Sequence, residues 1–131
     1  MKHELDYFCI EGRTGGRQAW FWDPIMRLAG CVAIAASDSC ISLARGFGLS
    51  RLCPCDAWDL TRRDYMTFAQ RMKKGYLSPG WKGISRLELY INGLARYLAD
   101  VGEARVSMTP LSGNAPVSRA ARAIRAQLDR D

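Results

Sequence analysis

A mainly helical α+β fold is the expectation from three features of these 131 residues. Two helical periods with clear start signals lie between Thr61 and Gly102. An apolar segment suited to a buried helix follows Gly30. Only two short stretches, near Leu5 and near Ala104, suit strands. The apolar share is 48%, with four Trp, five Tyr and four Phe, enough to build a core. A domain of this size buries roughly two thirds of its unfolded surface.

In chain order, Leu5–Ile10 reads as a short strand and the glycines from Gly12 to Gly16 as a flexible turn. That turn is not a phosphate cradle, because no Gly-Lys-Ser/Thr follows it. Asp23-Pro24 breaks the chain before a short helical turn through Leu28. Cys31 to Arg45 is then expected as a helix, apolar on nearly all sides in its first turns and so buried in mid-domain, with Gly46 and Gly48 as stops.

Thr61 places a capping hydroxyl three residues before Asp64, an acid favoured at the positive helix end. Tyr65, Phe68, Ala69 and Met72 supply the buried face, and Gly75 the end. Ser85-Arg86-Leu87-Glu88 is a capping box. Leu87, Ile91, Leu94, Leu98 and Val101 follow at 4-3-4-3 spacing, with Gly102 as the stop. Ala104–Met108 suits a short strand. Pro116 opens a last helix with Val117, Ala121, Ile124 and Leu128 on one side and Arg119, Arg122 and Arg125 on the other. No repeat or linker divides residues 1–131, which read as a single domain.

The net charge is +6. Residues 45–82 carry eight bases against three acids, five of the six excess charges. A face of that kind could attract polyanions, but a solvated basic surface is the favoured reading and nucleic acid is not the expected partner. No apolar run approaches the roughly 20 residues that span a bilayer. The N-terminus has no apolar core of a signal peptide, so a cytoplasmic location without membrane contact is expected. The odd count of five cysteines favours reduced thiols over a disulfide framework. Cys53-Pro54-Cys55 lacks the spacing of a zinc site, and neither a metal nor a cofactor is expected. Trp20, Trp22, Trp58 and Trp81 are expected in the core and the wall of a cleft.

Cys31 is the strongest candidate for chemistry. A thiol in the first turn of a helix faces unpaired backbone N–H groups and the positive dipole end, which favour thiolate. Gly30 before it is expected to leave room for a substrate backbone. The same position also suits a small apolar residue that starts a buried helix.

The runs Gly16-Arg17-Gln18-Ala19-Trp20-Phe21, Trp22-Asp23-Pro24-Ile25-Met26 and Ala29-Gly30-Cys31-Val32-Ala33-Ile34-Ala35-Ala36-Ser37-Asp38 resemble the opening of a bacterial group of papain-like cysteine peptidases. These are akin to the peptidases that process double-glycine leader peptides. The likeness continues more loosely through Asp59-Leu60-Thr61, Trp81-Lys82-Gly83-Ile84 and Leu87–Ile91. It implies an N-terminal helical lobe of a papain-like fold, with Cys31 as nucleophile and Gln18 as oxyanion donor. The implied reaction is hydrolysis of a peptide or amide through a thioester.

Thirteen residues separate Gln18 from Cys31, more than in the commonest papain-like pattern. The superfamily's base is a histidine downstream of the cysteine, on the sheet lobe. Here the only histidine is His3, upstream in a polar terminus. The resemblance therefore implies a truncated peptidase whose sheet lobe is missing, inactive alone, and open to completion by a C-terminal lobe or to self-association. The alternative from another class is a non-catalytic basic helical module that binds nucleic acid or a partner protein.

Overall fold

A computed structural model describes residues 7–78, 87–108, 110 and 116–128. The chain divides into two compact units. The larger is Tyr7–Ser107. The smaller takes both chain ends, and its described part is chiefly one helix. The architecture is mainly helical, with two very short strands.

The larger unit opens with a hairpin of β1 (Cys9–Ile10) and β2 (Arg13–Thr14), antiparallel, with Ile10 opposite Arg13. Its two-residue loop, Glu11-Gly12, has positive φ at both positions (49° and 81°), the backbone of the primed turn that matches strand twist. The expected strand is thus shorter than Leu5–Ile10 within the described residues, and Leu5 and Asp6 lie outside them.

A 3-10 turn at Gln18–Trp20 leads to α1 (Pro24–Ala29), capped by Asp23, whose Oδ1 accepts from the Ile25 amide at 2.9 Å. Proline at the first helical position suits this start, since its missing N–H would have no helical partner. One residue later α2 (Cys31–Phe47) begins. It runs past Gly46 and ends at Gly48, whose φ of 68° supplies the left-handed cap. Gly46 is therefore inside the helix rather than a stop. The buried face of α2 is Ala33, Ile34, Ala36, Ser37, Cys40, Ile41 and Ala44, one broad stripe. Cys31, Ala35, Ser39 and Ser42 are exposed. The helix is not buried all round: its early alanines are small enough to face either core or solvent, so composition misreads the outer face.

A second 3-10 turn (Ser50–Leu52) packs on α2, as does α3 (Arg62–Gly75). Thr61 Oγ1 accepts from the Asp64 amide at 3.1 Å, as expected of this cap. Glu11 adds a second: its Oε2 accepts from the Arg62 amide at 3.0 Å, so the hairpin loop seals the helix start. Tyr65, Phe68, Ala69 and Met72 are all buried. The contact of α2 with α3 is pinned at Tyr65, whose hydroxyl donates to Asp38 Oδ1 at 2.6 Å. A Cβ on Gly16 would overlap the Tyr65 phenol, so the hairpin side also closes against this ring.

In α4 (Leu87–Asp100) the buried residues are Gly93, Leu94, Tyr97 and Leu98. Leu87 is 47% exposed. The expected stripe is rotated, because Tyr97, fully buried, leads the packing: its hydroxyl donates to Leu52 O at 2.6 Å and its ring meets Phe68 and Tyr76. The capping box at Ser85 lies outside the described residues. Residues 104–108 form no strand; Glu103 instead folds back on Arg105 with three hydrogen bonds. That ion pair holds the Glu103 carboxyl down at about 2. In the smaller unit α5 (Val117–Leu128) carries exposed Val117 and Ile124, with Arg119, Arg122 and Arg125 exposed as well.

Two glycines inside helices predict opposite signs. A Cβ at Gly46 meets nothing within 4 Å. Gly46→Ala should therefore stabilise by about 0.5–1 kcal/mol through helix propensity. At Gly93 a Cβ would overlap Tyr76 O and lie 2.7 Å from Leu77 Cδ2. Gly93→Ala should destabilise by about 1–3 kcal/mol through overpacking. Thermal melts of both variants check this, and a rise in Tm for Gly93→Ala would refute the packing of α4 on the end of α3.

Asp38 gives a pH prediction. Burial pushes its carboxyl above the ordinary 3.8, opposed by hydrogen bonds from the Tyr65 hydroxyl and the Gly16 amide. An acid raised in the folded state binds its proton more tightly there than in the unfolded chain. Its contribution to stability is full below the unfolded value and is lost as pH rises through the folded one. Asp38→Asn cannot titrate, so the wild-type Tm minus the variant Tm should fall as pH rises above the ordinary carboxyl value of 3.8. Asp23 and Glu103, which titrate the other way, are common to both proteins and cancel. A difference that grows with pH would contradict burial as the dominant influence.

Candidate functional site

The junction of α1 and α2 presents Cys31. Gly30 is the C-cap of α1 and the residue before α2, so one amino acid turns the chain from one helix into the next. Its amide donates to Met26 O at 3.1 Å, and its own carbonyl accepts from Ile34 at 3.0 Å. A Cβ here would overlap Met26 O and stand 2.8 Å from Met26 Cα and 2.9 Å from Met26 Sδ. The missing side chain thus lets the helix end fold back on itself. The expected gap for a substrate backbone is occupied by Met26, which is itself fully buried.

Cys31 is exposed at the first position of α2. Because Ile34 makes the first rung to Gly30, the amides of Cys31, Val32 and Ala33 lie ahead of the helical ladder, the arrangement that concentrates positive partial charge at a helix start. The reading of Cys31 as a small residue that starts a buried helix does not hold, since the thiol is at the surface. Along the same exposed stripe follow Ala35, Ser39 and Ser42. None of these carries a long side chain, so another surface can approach the helix closely above the thiol.

Gln18 is the first residue of the 3-10 turn that packs against α1. Its Nε2 donates to Met26 O at 3.2 Å and to Arg27 O at 3.4 Å. Both amide hydrogens are thereby spent on carbonyls of the last turn of α1. Met26 O is shared, since it also accepts from Gly30. Gln18 is thus tied to the turn that delivers Cys31, although no hydrogen bond joins the two residues. The weaker bond, to Arg27 O, is the one that would have to open for the amide to meet a substrate oxygen.

Asp23 fixes the other end of α1. Besides capping the helix it accepts from Lys73 Nζ at 2.6 Å, a bridge between α1 and α3 with both side chains mostly buried. The Lys73 ammonium holds the Asp23 carboxyl below the usual carboxylate range, against an opposing effect of burial. The cap was readable from Asp-Pro at a helix start. Its partner fifty residues away had no local signal.

The tryptophans do not behave as core. Trp22, just before α1, is 91% exposed, and Trp58 is 71% exposed under the Arg45 guanidinium, 4.5 Å from its ring centre. Trp20 is half-buried between Tyr65 and Arg62. Trp81 and His3 lie outside the described residues. No helix among the described residues is long and apolar enough to cross a membrane.

With its geometry so laid out, the chain stands by itself: no family model, curated protein or solved structure matches it.

Proposed function

We propose that this chain is the helical, nucleophile-bearing lobe of a papain-like cysteine peptidase, with Cys31 as the attacking thiol and Gln18 as oxyanion donor. The observation that carries the reading is the exposed thiol at the head of the 17-residue α2, against a turn that Gln18 braces. In the implied reaction Cys31 Sγ adds to a peptide or amide carbonyl and the carbon–nitrogen bond breaks. The amine leaves with a proton, and water then hydrolyses the thioester. Stabilising the oxyanion with one amide donor is worth about 10²–10³ in rate.

Turnover also needs a base to take the thiol proton and return it to the amine. The sequence contains one histidine, His3, and none lies among the described residues. On this reading the base reaches the thiol from the exposed side of α2, where Cys31, Ala35, Ser39 and Ser42 lie. Among the described residues no histidine serves as the acid–base partner of Cys31, a contribution typically worth about 10²–10⁴.

Two exposed thiols allow a controlled test. Cys9 and Cys31 are both exposed, but only Cys31 heads a helix. Brief iodoacetamide treatment near neutral pH, followed by peptide mapping, should label Cys31 first, then Cys9, with Cys40 and Cys53 protected by burial until the chain is unfolded. If Cys9 labels as fast as Cys31, the helix start does not activate the thiol, and the nucleophile assignment falls. The basic-module alternative requires no such order.

A further inference from the structure

We infer that Cys53 and Cys55 form a second reactive site, a dithiol that exchanges with small disulfides of the glutathione class and closes into an intramolecular disulfide. This is independent of the reading of Cys31. The two sulfurs lie 3.2 Å apart, and both are free thiols. The contact is built rather than incidental, because the segment that carries it is held on both sides. The Cys53 amide donates to Ser50 O at 3.3 Å, and the preceding carbonyl, of Leu52, accepts from the Tyr97 hydroxyl at 2.6 Å. Beyond the pair, Asp56 Oδ1 accepts from the Trp58 amide at 2.9 Å. Pro54 fixes φ between the two cysteines and so limits how far they can separate.

The two thiols differ in access. Cys53 is 7% exposed, whereas Cys55 is half-buried and can be reached from solvent. A third thiol, Cys40 on α2, is buried nearby, yet among the described residues no three His, Cys, Asp or Glu side chains are placed to hold a metal ion. Two sulfurs in contact, without a third ligand, suit disulfide chemistry better than metal chelation.

The step balances as follows. Cys55 gives its proton to solvent base, and its Sγ attacks one sulfur of the small disulfide. That sulfur–sulfur bond breaks and the first small thiolate leaves. Cys53 then loses its proton, and its Sγ attacks Cys55 Sγ and expels the second thiolate. Two electrons and two thiol hydrogens pass from the protein to the small disulfide, which becomes two thiols. Burial first, then Cys53, with Asp64 and Asp56 adding to it, pushes the Cys55 thiol up to about 12. Exchange is accordingly slow at neutral pH and faster in alkaline buffer, where less of the thiol stays protonated.

The test uses the full chain. Trypsin releases the peptide from Leu52 to Arg62, which contains both thiols and no other cysteine. After oxidised glutathione in alkaline buffer, alkylation and digestion, this peptide should appear unalkylated, lighter by two hydrogens, and free of glutathione. Reduction before alkylation should restore both thiols. In Cys53→Ser the resolving thiol is gone, and glutathione should remain as a mixed disulfide on Cys55. Because that variant could misfold, a second measurement uses the wild-type protein with phenylarsine oxide. One arsenical should bridge the pair, resist excess monothiol and leave on addition of a dithiol. Recovery of the wild-type peptide alkylated at both cysteines, or as a persistent glutathione adduct, overturns the inference, as does an arsenical that monothiol removes.

Discussion

The Tyr65–Asp38 hydrogen bond is the constraint on which the larger unit depends. Tyr65 is fully buried, and its 2.6 Å bond to the half-buried Asp38 crosses from α3 to α2. On one side the ring lies so close to Gly16 that no larger residue fits there, which draws the hairpin end onto the same point. On another side Trp20 meets the ring edge-on at 6.0 Å, and Arg62 covers Trp20. Hairpin, 3-10 turn, α2 and α3 therefore meet at one phenol. A buried hydroxyl left without its acceptor costs about 1–3 kcal/mol, a large share of the stability of a chain this small.

That node also decides where Cys31 sits. With Ala33, Ala36, Ser37, Cys40, Ile41 and Ala44 turned toward the core, the helical period leaves Cys31, Ala35, Ser39 and Ser42 outward. The one-residue turn at Gly30 then fixes the direction in which the helix start points, and Gln18 holds that turn through Met26 O and Arg27 O. The accessible thiol is thus a consequence of packing on the opposite side of the helix rather than of any contact that Cys31 makes itself.

Start and stop signals made much of this fold legible in the sequence. Thr61, Gly48 and the Asp23-Pro24 pair each act locally, through a hydrogen bond or a backbone angle set within a few residues, and local chemistry can be read from adjacent letters. Faces were read less well. Alanine is small enough to lie on either side of α2, and Tyr97 outcompetes Leu87 for the core because its ring and hydroxyl both find partners on other elements. The links between Asp38 and Tyr65 and between Asp23 and Lys73 join residues 27 and 50 positions apart. No periodicity encodes them. Of the candidate site, the position of Cys31 at a helix start followed from Gly-Cys and the apolar run. The engagement of the Gln18 amide with two backbone carbonyls did not, since any surface glutamine reads alike in one dimension.

Could a carboxylate among the described residues serve as the base that the proposed chemistry needs? Asp38 is the carboxylate to weigh, because burial favours its protonated form and it lies on the same helix as Cys31. Seven residues separate the two, and at about 1.5 Å of rise per residue they stand roughly 10 Å apart along the axis. A general base must come within about 3 Å of the proton it takes, or reach it through one water. Asp38 is also committed: one oxygen holds the Tyr65 hydroxyl, and the Gly16 amide adds a second donor. Withdrawing it to serve Cys31 would undo the contact that joins α2 to α3. The residue that supports the fold is for that reason unable to act as the base that the proposed chemistry at Cys31 needs.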